Sequence, residues 1–251
     1  ESTGGIGADD LASAGCMAET WQFAAGPIRD IAGQELRYRR MTRSHDQSFA
    51  GIGVPSALSG VSAQPAGGYG WWWHTPDDTL DKIDPARLVR DTQIYLVACW
   101  RLCTLPVLPF NFAATARELR DQLHSLQETA GDRFDLTPLL AEVAALGVAA
   151  ERLNAACAEV GADAARAEAL NAAIMAVAHA LIPVNYTQAG PYGVDLALAS
   201  PVLPGLAAVA DLAGLDPASD AAQFLRTRLI RERNRVWDAL ATACREIARV
   251  V

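Results

Sequence analysis

Lysine is almost missing from this sequence: Lys82 is the only one, so arginine supplies nearly all of the positive charge. The formal net charge is −8 and the pI lies near 5.0. Nucleic acid and anionic bilayers both demand clustered positive charge to displace counterions, so neither nucleic-acid binding nor membrane contact is expected of this segment. Cysteine is sparse and poorly spaced for chemistry. Cys16, Cys99, Cys103, Cys157 and Cys244 form no CxxC pair of the kind that builds a structural zinc or redox centre. Free thiols are expected, and Cys99 and Cys103, four apart on one expected helix, are read as small apolar packing residues. A long hydrophobic run is lacking too. The most apolar stretch, Ile94 to Phe110, is interrupted by Arg101, Pro106 and Pro109 and cannot span a bilayer. No signal-peptide pattern opens the sequence at Glu1, and the compartment stays open.

What is present is apolar bulk, 51% of 251 residues, enough for a sizeable core in two modest domains. Residues 1–108 mix glycine-rich turns, short apolar segments and one amphipathic stretch near Glu19 to Leu36. That mixture is read as part of an α/β domain, with Val54 to Val61 as one of its strands. Asp84-Pro85 is a strong helix start, an N-cap followed by proline at the first helical position, and the helix should run to about Cys103. Residues 109–251 change character. Helical periodicity appears over 112–130, 138–160, 164–182 and 219–250, and predicts a helical bundle. Leu170, Ile174, Val177 and Leu181 form one apolar stripe; Leu229, Val236, Leu240, Ile247 and Val251 form another. Between the last two helices, residues 183–205 make a proline- and glycine-rich loop, long enough to suggest a functional role.

Three segments carry chemistry. The sharpest is Trp73-His74-Thr75-Pro76-Asp77-Asp78-Thr79-Leu80-Asp81-Lys82-Ile83-Asp84. It resembles the final metal-ligand motif of the co-catalytic two-zinc exopeptidases, the aminopeptidase and glutamate carboxypeptidase type, in which a His precedes Asp-Thr by four and five residues. The resemblance implies that His74 is a zinc ligand and that Asp78 and Thr79 shape the turn and cap the helix behind it, a supporting layer that a ligating imidazole needs. Ser44-His45-Asp46-Gln47-Ser48-Phe49, followed by Gly51, Gly53, Val54 and Pro55, resembles the same family's Ser-Asp-His segment with the Asp and His reversed; Asp46 is assigned an organising role. Glu1-Ser2-Thr3-Gly4-Gly5 resembles the strand-end acidic ligand and its glycines, which makes Glu1 the ligand of the second zinc.

The fold class implied is α/β plus all-α: a partial three-layer α/β/α zinc-peptidase domain, then a helical bundle. Val107-Leu108-Pro109-Phe110, Leu170-Asn171, Ile174-Met175 and Leu203-Pro204-Gly205 resemble the helical domain that mediates homodimerisation in glutamate carboxypeptidase and the transferrin receptor. By that comparison Tyr186, Tyr192 and the loop at 184–202 contact a peptide substrate, with capping or packing as the alternative. Trp73 stands where a substrate-facing aromatic is found, plain core packing being its alternative. A complete site of this family holds two Zn2+, which polarise the scissile carbonyl and acidify a bridging water while a Glu takes the proton. The family's His-x-Asp pair and Glu-Glu pair have no counterpart among these residues, so the chain alone is expected to bind zinc poorly and hydrolyse nothing. A non-enzymatic dimeric receptor or scaffold is the competing reading; a self-standing helical interaction module is a third.

Overall fold

A computed structural model describes residues 3–41, 45–188, 190, 193, 195 and 201–251, the side chains of 45–48 excepted. The chain divides into two compact units, Glu1–Met41 with Ser56–Phe110, and Thr42–Pro55 with Asn111–Val251.

The first unit corrects the α/β expectation for residues 1–108. Among the described residues there is no strand and no sheet; extended segments meet only in isolated bridges, Gly5 with Ile83, Asp10 with Ala63, Gly15 with Ser59 and Cys16 with Arg40. The composition explains this. Residues 4–16 consist mainly of glycine, alanine and aspartate, which have little to pack on a pleated face. Register is lost as well, because Asp10 and Gly15 are five positions apart while Ala63 and Ser59 are four, so a bulge interrupts the ladder. The expected strand at 54–61 contributes one bridge, at Ser59, between Pro55 and Gly60.

Helices supply the regular structure. The amphipathic stretch becomes α1 (Trp21–Ala32), which ends where Gly33, at φ +66°, donates its N–H to the Arg29 carbonyl. The Asp84-Pro85 start opens α2 (Pro85–Thr104), with the Asp84 carboxylate accepting from the N–H groups of Ala86 and Arg87. Such a cap contributes about 1 kcal/mol. Leu11, Ala14, Cys16, Ala24, Ile28, Leu36, Val61 and Ile94 form the core between these helices and the extended segments.

The second unit is a bundle of α3 (Phe112–Ala130), α4 (Thr137–Ala158), α5 (Ala164–Tyr186), the short α6 (Val209–Ala213) and α7 (Asp220–Ala248). α3 packs on α4, α4 on α7, and α7 on α5. Leu170, Ile174, Val177 and Leu181 are all buried, as are Leu229, Val236, Leu240 and Ile247. Val251 leaves that second stripe: α7 ends at Ala248, and Val251 is exposed beyond it. Contrary to the expectation that a long hydrophobic run is lacking, α5 is long and apolar enough to cross a membrane by length and composition; in this unit it is a core helix, half buried along its most apolar window. Residues 45–52 form a 3-10 turn that packs on α5. Gly53 makes that approach possible, since a Cβ there would lie 2.4 Å from the His179 Cα.

Candidate functional site

The segment around His74 is built from turns stacked on aromatic rings. Gly70, at φ +107°, turns the chain so that its carbonyl accepts from the Trp73 N–H at 3.2 Å. A side chain at position 70 would strike the Trp72 ring, so glycine is required for the close approach. Tyr69 meets Trp73 edge to face with centroids 4.9 Å apart, and His74 stacks on Trp73 with centroids 3.6 Å apart and planes inclined by 21°. His74 itself sits at φ +60°, a left-handed conformation that costs a non-glycine residue about 1–2 kcal/mol. The imidazole is exposed, whereas the Trp73 indole N–H is buried with no acceptor. A strained backbone holding an exposed imidazole flat on an indole is an arrangement that fixes the ring's direction.

After His74 the chain is held by local bonds. Thr75 Oγ1 donates to the Trp72 carbonyl at 2.6 Å and accepts from the Asp77 N–H at 3.2 Å. Asp78 is exposed and uses its N–H to bond the Thr75 carbonyl at 3.1 Å. Thr79 Oγ1 donates to the Asp77 carbonyl and to the Asp81 carboxylate, and Thr79 precedes the 3-10 turn Leu80–Lys82. Lys82 and Thr79 together hold the Asp81 carboxyl below its usual range, Lys82 being the larger cause. The residue that caps α2 is Asp84, whose own carboxyl is lowered by the Arg87 and Ala86 N–H groups and by the Arg87 guanidinium.

A glycine-rich strap, residues 4–10, lies along α2. The Asp84 N–H donates to the Gly4 carbonyl at 2.8 Å, and the Ile6 N–H to the Lys82 carbonyl at 2.9 Å. Gly4 comes so close to α2 that a Cβ would sit 2.7 Å from the Leu88 Cβ and 2.8 Å from its Cα. Farther on, Arg87 grips both oxygens of Asp9, at 2.9 and 2.7 Å, and Arg90 bonds the Ala8 carbonyl at 2.7 Å. These contacts pull the Asp9 carboxyl down, with the Arg87 hydrogen bond the first cause.

Of the residues singled out in the sequence, Trp73, His74, Asp78 and Thr79 fall together in this first unit. Glu1 and Tyr192 lie outside the described residues, and so does the side chain of Asp46, whose backbone belongs to the turn on α5. Tyr186, in the second unit, is 3% exposed at the C-terminal end of α5, so its ring is enclosed rather than presented on a surface. Among the described residues no group of three or more His, Cys, Asp or Glu converges as a metal site. His74 is one donor, and zinc held there needs partners from elsewhere. Asp9, Arg87 and Asp91 were not singled out by the sequence; the signal was Asp91, a lone carboxylate in register with Ile94 and Ala98 on the buried face of α2.

Comparison with family models and with curated proteins finds no match to this chain.

Proposed function

We propose that this chain is the His74-bearing portion of a zinc-dependent exopeptidase, an aminopeptidase or a dipeptide-cleaving carboxypeptidase, whose remaining ligands and general base come from residues outside this sequence. The observation that carries the reading is the pairing of residues 4–6 with residues 82–84. Two segments that resemble separate ligand-bearing motifs are thereby joined side by side in one unit, although nothing in their sequence separation requires it. The strained, stacked His74 supports the same reading, because strained backbone positions cluster at functional sites.

The bundle is assigned the homodimer contact. That assignment rests on the resemblance of the bundle's segments to a dimerising helical domain; Ile230 and Trp237, seven residues apart on α7, are exposed apolar side chains available to such a contact.

The deciding experiment compares the full-length protein with its His74→Ala variant for zinc content and for hydrolysis of leucyl and alanyl peptides. About two zinc ions per chain in the wild type, with turnover lost in a folded variant, supports the peptidase. No zinc and no turnover in the wild type moves the assignment to a peptidase-like dimeric scaffold, for which sedimentation gives the oligomeric state.

A further inference from the structure

α2 meets the rest of its unit through one face and leaves the opposite face bare. Its buried residues are Asp91, Ile94 and Ala98. Its charged groups are all committed to that unit. Arg87 bonds Asp9 and Asp84, and Arg90 bonds Asp9, Asp91 and the Ala8 carbonyl. Asp91 also accepts from the Gly4 N–H and the Ser62 hydroxyl, and Arg101 reaches Asp30. A surface helix ordinarily turns its charges to water and its apolar stripe to the core. In α2 the outward face is the one without charge.

On that face Val89, Thr92, Leu96, Cys99 and Cys103 are all exposed, at successive steps of three, four, three and four residues. This is the repeat that keeps one seam of a helix facing a second helix. The positions flanking such a seam are Leu88, Gln93, Tyr95, Trp100 and Leu102, and they carry no charge either. Val89, Leu96 and Trp100 are 57%, 64% and 67% exposed, so the apolar part of the seam stands in water in a single copy.

We propose that this seam of α2 is a contact between two copies of the chain, separate from the contact assigned to the bundle, in which the two α2 helices pair. A second copy fits for three reasons. It brings the same three-and-four spacing, as a self-complementary interface requires. Charges beside a seam decide which helix is accepted, and with none there nothing repels the identical helix. The chain carries a net charge of −8, so two copies repel one another over most of their surface, and an uncharged face is where they approach at least cost. Pairing also encloses Cys99 and Cys103, giving these exposed thiols the role of small packing residues. Two repeats extend about 21 Å along the axis. A contact of that length belongs with weak interfaces, those below about 1,200 Å2 in total, so it forms and separates with concentration. The proposal does not depend on the exopeptidase reading.

The test follows alkylation of the cysteines by mass spectrometry, together with sedimentation equilibrium, in dilute and concentrated full-length protein. Three forms are compared: wild type, Leu96→Glu in the seam and Ile230→Glu on α7. In dilute wild type Cys99 and Cys103 should react freely. On concentration their labelling should slow about tenfold while that of Cys157 is unchanged, and the average mass should rise. Leu96→Glu sets like charges face to face and should weaken the association at least about 100-fold, restoring fast labelling. Leu96 is exposed, so the helical circular dichroism should stay the same. Ile230→Glu should leave the slowing at Cys99 and Cys103 in place. Labelling at these two thiols that does not change with concentration and is as fast as in Leu96→Glu overturns the proposal. So does protection that Leu96→Glu removes without any change of mass, since the cover then comes from the same chain. Protection that survives Leu96→Glu and vanishes in Ile230→Glu overturns it as well, placing the seam under the bundle's contact. If Leu96→Glu does not fold, Trp100→Gln removes the largest exposed ring of the face without adding charge; a smaller loss of protection supports the contact, and none overturns it.

Discussion

The His74 imidazole lies flat on the Trp73 indole, centroids 3.6 Å apart, while the His74 backbone is held at φ +60°. The stack and the strain can be separated by two substitutions that both remove the ring. His74→Gly relieves the left-handed conformation and His74→Ala does not, so the glycine variant should be the more stable by about 1 kcal/mol, the reverse of the usual order. Urea unfolding of the two variants measures it. Equal midpoints would mean that the turn adjusts without strain.

Gly4→Ala should destabilise the protein by about 2 kcal/mol or more, because a methyl group there meets the backbone of α2 and the residue is already at φ +79°. Gly67 is the control, with φ +89° and nothing within 4 Å of the place its methyl group would take, so Gly67→Ala carries the conformational cost alone. Unfolding midpoints that fall equally for the two variants would show that Leu88 yields.

Asp9 is lowered chiefly by its hydrogen bond to Arg87, so its contribution to stability is complete above the ordinary aspartate value, about 3.9, and is lost as pH falls through the lower value of the folded state. Asp9→Asn should therefore be less stable than wild type at neutral pH, with the gap closing as pH falls below the ordinary aspartate value. Urea midpoints at several pH values follow the gap; one that stays constant into acid would mean that the Arg87 pair adds nothing to stability.

None of the five cysteines is in a disulfide, and their environments set an order of reaction. Cys99 and Cys103 are exposed, Cys16 is buried, and burial pushes the Cys157 and Cys244 thiols up, with Glu142 adding to the rise at Cys244. Alkylation at neutral pH, followed by mass spectrometry, should label Cys99 and Cys103 first and Cys16 last. Early labelling of Cys16 would indicate that the first unit opens readily.

Helix positions were legible because each has a local cause. Asp84-Pro85 starts α2, and the repeats Leu170 to Leu181 and Leu229 to Ile247 bury one face of α5 and α7. Caps and periodicity act within a few residues, which is why sequence alone found the four long bundle helices; it missed that α5 runs on to Tyr186, four residues into the expected loop at 183–205, and it missed the short α6. The extended segments had no such cause. Residues 54–61 read as a strand because they are a short apolar segment beside glycine. Whether they form a ladder depends on a partner's register, and the offset between the Asp10–Ala63 and Gly15–Ser59 bridges breaks it. The same holds for the site. His74 and its turn could be picked out through the resemblance of their motif, but the strap beside residues 82–84 and the buried Asp91 that accepts from Gly4 and Ser62 arise from residues far apart in sequence. Hydrogen-bond partners across such distances are chosen by packing, so only the tertiary structure decided them.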